Sequence, residues 1–185
     1  TKGVVDLYEG LTMIDYLIIA ACSYRPYEKK SGAVDRELLG CCESVQKCIA
    51  RKTSKTACLR ECISRLESVP RTTTSRRPLI GVTGDLYTRM NSRGNNELFS
   101  KLEQMGCEVW ASPFYAASTD FELPQNSKRW LKKGKPLKAV VDASVARLLR
   151  HQSRKLASVL PPQLRRRCVE TEQSLLQKYA EQYTG

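Results

Sequence analysis

The segment RPLIGVTGDLYTRMNSRGNNELFSKLEQMGCEVWASP, residues 77–113, decides the fold class of this chain. Its apolar run LIGV, bounded by proline and glycine, predicts a short strand. Periodic apolar residues then predict a helix over residues 95–105, which Gly106 ends in a left-handed conformation. CEVWASP predicts a second strand. A strand, a helix and a strand in so short a segment predict a βαβ unit with parallel strands.

The loop between the first strand and the helix, TGDLYTRMNSRGN, is the candidate ligand-binding segment. Ligands of open parallel sheets bind at the carboxyl ends of the strands, so this loop is expected to face a cleft. Its glycines permit close backbone approach, and an asparagine can cap the following helix. The candidate substrate- or anion-binding residues are Gly84, Asp85, Tyr87, Arg89, Asn91 and Asn95. The loop lacks the Walker and dinucleotide-binding patterns, and a structural turn explains it equally well.

Three helices are predicted before residue 70, because apolar residues recur there at spacings of three and four. The first helix should bury one stripe and end at YRPYEKKSG, where Pro26 disfavours helical dihedral angles and Gly32 releases the chain. The three expected stripes are Leu7, Leu11, Ile14, Leu17, Ile18 and Ala21; Val34, Leu38, Cys42, Val45 and Ile49; and Leu59, Cys62, Ile63, Leu66 and Val69.

The chain is therefore expected to be helix-rich α/β, with a helical N-terminal segment over residues 1–69 and a partial α/β lobe with basic helices over residues 79–185. Residues 70–78, PRTTTSRRP, have the composition of a linker. Two parallel strands do not make a stable sheet, so further strands are expected from outside this chain or from another copy. Because the first residue is threonine, we expect an internal piece of a longer protein.

After the second strand, NSKRWLKKGKP predicts a short basic helix or turn, and LKAVVDASVARLLRHQSRKLASVL predicts a long amphipathic helix. Pro161 and Pro162 should end the long helix, and a last helix is expected over about residues 163–183. The apolar stripe expected on the long helix is Val141, Val145, Leu148, Leu149, Leu156 and Leu160.

The positive charge is concentrated in one block. Thirteen Lys or Arg side chains and a single acid, Asp142, lie between Lys128 and Arg167, so this block accounts for the whole formal net charge of +12. Such a block attracts phosphate groups of nucleic acids or coenzymes, or the acidic surface of a partner. A solvated helix face that keeps the protein in solution is the alternative explanation.

Eight cysteines are many for 185 residues, but no C-x2-C pair is present and the only histidine, His151, cannot complete a metal site among them. No secretion signal is visible, so a reducing cytoplasmic compartment is expected, in which thiols behave as small buried apolar groups. Disulfides in an exported protein and a metal site are the alternatives. The longest apolar run, LTMIDYLIIAAC, carries Asp15 and indicates a buried helix face, so no membrane contact is expected.

Residues 77–113 resemble the acyl-CoA dehydratase activase-related proteins, relatives of the 2-hydroxyglutaryl-CoA dehydratase D component. The shared pattern is a strand, then G-[ED]-x-Y-x-R-x-N, then N-x-x-L-x-x-x-L-E-x-x-G-x-E-V. The matching positions are Gly84, Asp85, Tyr87, Arg89, Asn91, Asn95 or Asn96, Leu98, Leu102, Glu103, Gly106, Glu108 and Val109. The segment DYLIIAACSYRPYEKKSGAVD is similar to that family's helix ending in R-P-Y-E, and its matching positions are Asp15, Arg25, Pro26, Tyr27, Glu28 and Gly32.

The resemblance implies flavodoxin-like α/β lobes around a [4Fe-4S] cluster in the parent protein, with acyl-CoA as the ligand class and an ATP-dependent activator as electron donor. It implies that Arg89 binds an anionic group and that Tyr87 shapes the cavity. The lobe-connection motif would be Arg25, Tyr27 and Glu28, with Glu28 paired to Arg25. The family's cluster-binding cysteines have no counterpart here, so no cofactor is expected in this chain and no catalytic residue is assigned.

Two functions of different classes follow. In the first, the chain is a non-catalytic portion of an iron–sulfur 2-hydroxyacyl-CoA dehydratase-like or activase-related protein, and its partner is the remainder of the parent chain or a partner subunit. An acid or base role for Asp85 lacks a partner at a suitable spacing. In the second, the basic block forms a helical module that binds nucleic acid or an acidic protein. Trp130 is the only Trp, Tyr or Phe side chain in that block, which is too few for base stacking.

Overall fold

The computed structural model describes residues 2–72, 75–84, 87–88, 91–113, 119 and 122–169. It shows the predicted helix-rich α/β class, with a parallel sheet of two strands. In chain order the described elements are α1 (Lys2–Tyr24), a 3₁₀ turn (Arg25–Tyr27), α2 (Ala33–Arg51), α3 (Lys55–Ser68), β1 (Leu79–Val82), α4 (Leu98–Gln104), β2 (Glu108–Ala111), α5 (Leu123–Lys132), α6 (Pro136–Ala157) and α7 (Pro162–Val169).

Helix α1 lies at the centre of the fold and contacts α2, α3, β2, α6 and α7. The predicted helix and its end at the R-P-Y segment are confirmed, but the predicted single buried stripe is wrong, because Leu7 and Leu11 are exposed. A helix enclosed by several neighbours buries residues on several faces, so spacing alone does not identify its buried side. The buried side chains in its second half include Met13, Tyr16, Leu17, Ile19, Ala20 and Ala21.

Helices α2 and α3 pack against each other and against α1. All five apolar residues predicted for the third helix are buried, whereas in α2 the burial is shared between Val34 and Val45 and two cysteines. The start of α3 is joined to α1 by an ammonium group: Lys55 Nζ lies 2.6 Å from Asp6 Oδ1 and 2.8 Å from Glu9 Oε2. These contacts hold the start of α3 beside the first half of α1.

The predicted βαβ unit is present. Strand β1 pairs in parallel with β2, and Leu79 lies opposite Glu108 in the register. The helix between them begins three residues later than predicted, because Asn96 and Glu97 adopt positive φ angles of 55° and 56°. Strand β2 is largely buried against α1, whereas β1 forms the exposed edge of the sheet.

The long helix α6 is present, but half of its predicted apolar stripe is wrong. Leu156 and Leu160 are buried as predicted, whereas Val141, Val145 and Leu148 are exposed. Helix α6 instead approaches α1 through small side chains, and the Tyr8 hydroxyl lies 2.7 Å from Ser153 Oγ. The helix predicted over residues 163–183 is found as α7 in its first part, and residues beyond 169 lie outside the described part of the chain.

The described parts of the segments 1–69 and 79–185 share one hydrophobic core. Leu156, Leu160, Leu164 and Cys168 lie in the same buried cluster as the apolar side chains of α1, α2 and α3. The C-terminal helices therefore complete the core of the N-terminal helices, and the boundary suggested by composition does not divide that core.

Among the residues that the structure describes, no helix combines the length and the apolar character needed to cross a membrane. Helix α1, which contains the run LTMIDYLIIAAC, contributes to the core instead, as that run predicts.

We predict that Leu156→Ala destabilises the whole helical assembly. Its side chain is 1% exposed in the shared core, so truncation should lower the free energy of unfolding by about 2–5 kcal/mol. The matched control is Leu137→Ala on the same helix, where the side chain is 77% exposed and the change should be within about 0.5 kcal/mol. Urea unfolding followed by circular dichroism measures both, and equal effects of the two changes would contradict the shared core.

Candidate functional site

The lobe-connection motif lies where α1 ends. Pro26 stands within the 3₁₀ turn that follows Tyr24, and Glu28 comes directly after that turn. The two carboxylate oxygens of Glu28 accept hydrogen bonds from the backbone N–H of Gly32 at 2.7 Å and of Val34 at 2.9 Å. Glu28 therefore satisfies amide groups at the start of α2, as a capping residue does.

The predicted pairing of Glu28 with Arg25 is wrong, because Arg25 has other carboxylate partners. Its Nε lies 2.9 Å from Asp35 Oδ1, and its Nη1 lies 2.7 Å from Glu103 Oε1. Burial raises the pKa of the Glu103 carboxyl above its ordinary value, and the Arg25 guanidinium offsets part of that rise. Arg25 thus ties the end of α1 to both α2 and α4.

The third motif residue, Tyr27, belongs to a group that we call the Glu108 cluster: Ser23, Tyr27, Glu108 and Arg167. The Tyr27 hydroxyl donates to Glu108 Oε2 at 3.1 Å and accepts from the backbone N–H of Arg77 at 3.0 Å. Arg167 Nη1 donates to Glu108 Oε1 and, at 2.6 Å, to Ser23 Oγ. A carboxylate at this depth needs such partners, because an unpaired buried charge is costly.

The Glu108 cluster joins four parts of the chain that are distant in sequence. Ser23 comes from α1, Tyr27 from the 3₁₀ turn, Glu108 from β2 and Arg167 from α7. The indole N–H of Trp110 on the same strand donates to the Arg167 carbonyl at 3.0 Å, which adds a second tie between β2 and α7. The Glu108 cluster therefore has a structural role, because its donors and acceptors form hydrogen bonds with one another and hold these four parts of the chain together.

Sequence reasoning missed the role of Arg167. It is one of three consecutive arginines, and the sequence predicts for all three only the roles of the basic block, which are to attract phosphate or an acidic surface or to keep a helix face solvated. The neighbouring Arg165 also has an internal task, because its guanidinium donates to the carbonyl oxygens of Ala157, Ser158 and Leu160 near the end of α6. The spacing of residues in a helix could have placed Arg167 on the same side as the apolar residues Leu164 and Cys168. No sequence pattern, however, identifies Glu108 as its partner.

The predicted ligand loop is an ordered surface turn in its described part. Gly84 has a φ angle of 128°, which favours glycine. Asn91 Oδ1 accepts from the N–H of Arg93 and of Gly94 at 3.1 Å each, and Asn95 Oδ1 accepts from the N–H of Leu98 at 3.2 Å. Asn95 thus satisfies the first backbone amide of α4, although the N-cap residue of this helix is Glu97, whose side chain makes no capping bond.

The exposed ring of Tyr87 does not by itself form a cavity wall. Its side chain is 73% exposed. Asp85 and Arg89 lie outside the described residues, so their predicted roles stay predictions. In the described part of this loop, the hydrogen bonds of the Asn91 and Asn95 side chains stabilise the turn itself and the start of α4.

A cleft of about 760 Å³ lies beside the Glu108 cluster. Its wall includes Tyr24, Tyr27, Arg71, Arg76, Glu108 and Arg167. The Arg71 guanidinium lies 4.3 Å from the centre of the Tyr24 ring, a cation–π contact that holds one arginine against the wall. The cleft thus presents aromatic rings and guanidinium groups, but its two carboxylates, Glu67 and Glu108, balance two of the three guanidinium charges.

Most of the cysteines are buried, as expected for thiols that behave as small apolar groups. All eight are free thiols, and the five at positions 22, 41, 48, 62 and 168 are buried. Burial raises the pKa of the Cys22 thiol to about 11 and raises the pKa of the Cys168 thiol well above its ordinary value. Protonated thiols are poor nucleophiles and poor metal ligands. Within the described residues, no group of three His, Cys, Asp or Glu side chains has the arrangement of a metal site.

We predict that Arg167→Met destabilises the protein by about 3–5 kcal/mol, because it leaves the Glu108 carboxylate buried with one charged partner fewer. The control is Arg147→Met, at an exposed position on α6, where the change should be within about 0.5 kcal/mol. Urea unfolding at pH 7 measures both changes. If the two substitutions have equal effects, the Glu108 cluster does not stabilise the fold as proposed.

A second prediction concerns the thiols. At neutral pH, a thiol-specific reagent such as DTNB should react quickly with no more than the three partly exposed cysteines, which are Cys42, Cys58 and Cys107, and with all eight after unfolding. Absorbance at 412 nm counts the released thiolate. Rapid reaction of more than three thiols in the folded protein would contradict the buried positions.

Comparison of the chain with protein-family models, with curated protein sequences and with solved structures finds no match.

Proposed function

We propose that this chain is a non-catalytic portion of an iron–sulfur 2-hydroxyacyl-CoA dehydratase-like or activase-related protein, in which the helices carry the first βαβ unit of a flavodoxin-like lobe. One observation carries the proposal. The two sequence segments on which the resemblance rests contact each other directly, through Arg25 with Glu103 and through Tyr27 with Glu108.

These contacts bring together positions that are 78 and 81 residues apart. Arg25 and Tyr27 belong to R-P-Y-E, and Glu103 and Glu108 belong to L-E-x-x-G-x-E-V. The pattern residues are thus partners in one charged and hydrogen-bonded connection between α1 and the βαβ unit. A shared architecture explains why both segments would occur together, and it supports a structural role for these four residues.

The small sheet also supports an incomplete lobe. Strand β1 is exposed, and Leu79 and Ile80 present apolar side chains at the surface. A sheet of two strands is marginal in water, and an uncovered strand edge pairs readily with another strand. Strands from the remainder of the parent chain, or from a partner subunit, would extend the sheet at β1 and complete a flavodoxin-like lobe.

In that lobe the loop with Gly84, Asp85, Tyr87, Arg89 and Asn91 follows the carboxyl end of β1, where open parallel sheets bind ligands. The exposed ring of Tyr87 would then be covered by the completed lobe. Arg89 would bind an anionic group of an acyl-CoA ligand. The [4Fe-4S] cluster and its ATP-dependent activator would belong to other parts of the parent, since the family's cluster-binding cysteines have no counterpart here and five of the eight thiols are buried.

The test replaces Arg89 by alanine in the intact parent protein and measures acyl-CoA binding and acyl-CoA-dependent turnover. Loss of a charged hydrogen bond should weaken binding by about 10- to 100-fold. The matched control is Arg93→Ala, which removes the exposed arginine four residues further along the same loop and should leave binding unchanged. Unchanged binding in Arg89→Ala, with the fold intact, would remove the proposed role of the loop.

A further inference from the structure

In the part of the chain that the structure describes, helix α6 presents an exposed apolar stripe. The stripe is made of Leu137, Val141, Val145 and Leu148, whose spacings are four, four and three residues. All four are exposed, including 77% for Leu137, 52% for Val141 and 46% for Leu148. The opposite face of α6, with Ala139, Ala146 and Leu156 among others, is the one that is buried in the protein.

This spacing is the pattern by which one helix packs along another. Apolar residues at spacings of four and three keep a continuous seam toward a neighbouring helix. From Leu137 to Leu148 the seam is about 16 Å long at 1.5 Å per residue. Val140, which is also exposed, widens it on one side, and the small Ser144 lies within it.

Basic side chains border the seam. Lys138 lies on one side, and Arg147 and Arg154 lie on the other, and all three are exposed. They occupy the positions that flank the apolar seam in paired helices, where opposite charges on the partner stabilise the pair and select it. The seam therefore has an apolar centre and positive margins.

The positive charge of the hairpin of α5 and α6 is not neutralised within the block. The amino groups of Lys133, Lys135 and Lys138 lie 5.6, 5.6 and 4.8 Å from the centre of the Trp130 ring. Asp142, the block's single acid, accepts a hydrogen bond from the Trp130 indole N–H at 3.1 Å. Like charges so close together favour the approach of an acidic surface.

We propose that the outer face of α6 binds an acidic amphipathic helix of a partner protein. Apolar side chains of that helix lie on the seam, and its Glu or Asp side chains pair with Lys138, Arg147 and Arg154. The proposal is independent of the dehydratase-like function, because it rests on a different face of the molecule.

Other occupants fit the face less well. Nucleic acid would satisfy the basic margins but leave the apolar seam without a partner, since phosphate contacts are polar. A second copy of this chain would place one positive block against another. Helices that lie on membranes carry large side chains such as Trp, Phe and Leu on the apolar face. The seam holds two Val beside two Leu, and the nearby Trp130 is half-buried and bonded to Asp142.

The test uses the 185-residue chain and a fluorescein-labelled peptide of three heptads. In each heptad, Leu occupies the two positions that face the seam, and Glu occupies the four flanking and outer positions nearest to those two. Fluorescence anisotropy should show saturable binding that weakens as salt is raised. A peptide of the same composition in scrambled order has the same charge without the seam, and it should bind at least about tenfold more weakly. Duplex DNA and phosphatidylserine vesicles are titrated in parallel.

Two variants separate the seam from the charge. Replacing Leu137, Val141 and Leu148 together by glutamine should weaken peptide binding by at least about tenfold, and Val4→Gln, an exposed apolar position on α1, should have no effect. Replacing Lys138, Arg147 and Arg154 by glutamine should weaken binding and reduce its salt dependence. Circular dichroism confirms that each variant is folded.

The proposal is overturned by any of three results. The first is that the ordered peptide does not bind, or binds no better than the scrambled one. The second is that the triple glutamine variant at the seam binds the ordered peptide as tightly as the unchanged chain. The third is that DNA or vesicles bind more tightly than the peptide and are unaffected by the seam variant.

Discussion

The buried carboxylate of Glu108 constrains the positions of the chain segments that contact it. Glu108 opens β2 against α1, and each of its oxygens meets a different part of the chain: Tyr27 after α1 and Arg167 in α7. A charge at this depth is tolerated only with its partners in place. The positions of the 3₁₀ turn, of β2 and of α7 are therefore interdependent, although they come from three separate stretches of sequence.

Helix α1 provides the surface on which this arrangement is built. Helices α2 and α3 cover one side of it, while β2, α6 and α7 cover others. Small residues permit close approach of α6, and two tyrosines of α1 reach its Ser153, through Tyr8 to the hydroxyl and through Tyr16 to the carbonyl oxygen. The resulting core therefore contains side chains from segments of different composition, packed together.

The polar residues most suggestive of chemistry turn out to have architectural partners. Arg25, Tyr27 and Glu28 are engaged with Glu103, Glu108 and the start of α2, respectively. The thiols are mostly internal. Among the described residues, the exposed surfaces include the edge of β1, the described part of the loop that follows it, and the outer face of α6.

Periodicity by itself determined the class of each element: the helices, the βαβ unit, its parallel strands and the helix break at Pro26 all follow from local spacing and from residues with special backbone preferences. Tertiary structure alone decided which faces are buried and which charges meet. Spacing predicts that a helix has an apolar side, but its neighbours select the side, so α1 is enclosed and the Leu137 side of α6 is not. Likewise, Arg167 acquires a role only because folding brings it to Glu108, and pairing across a fold leaves no trace in local sequence.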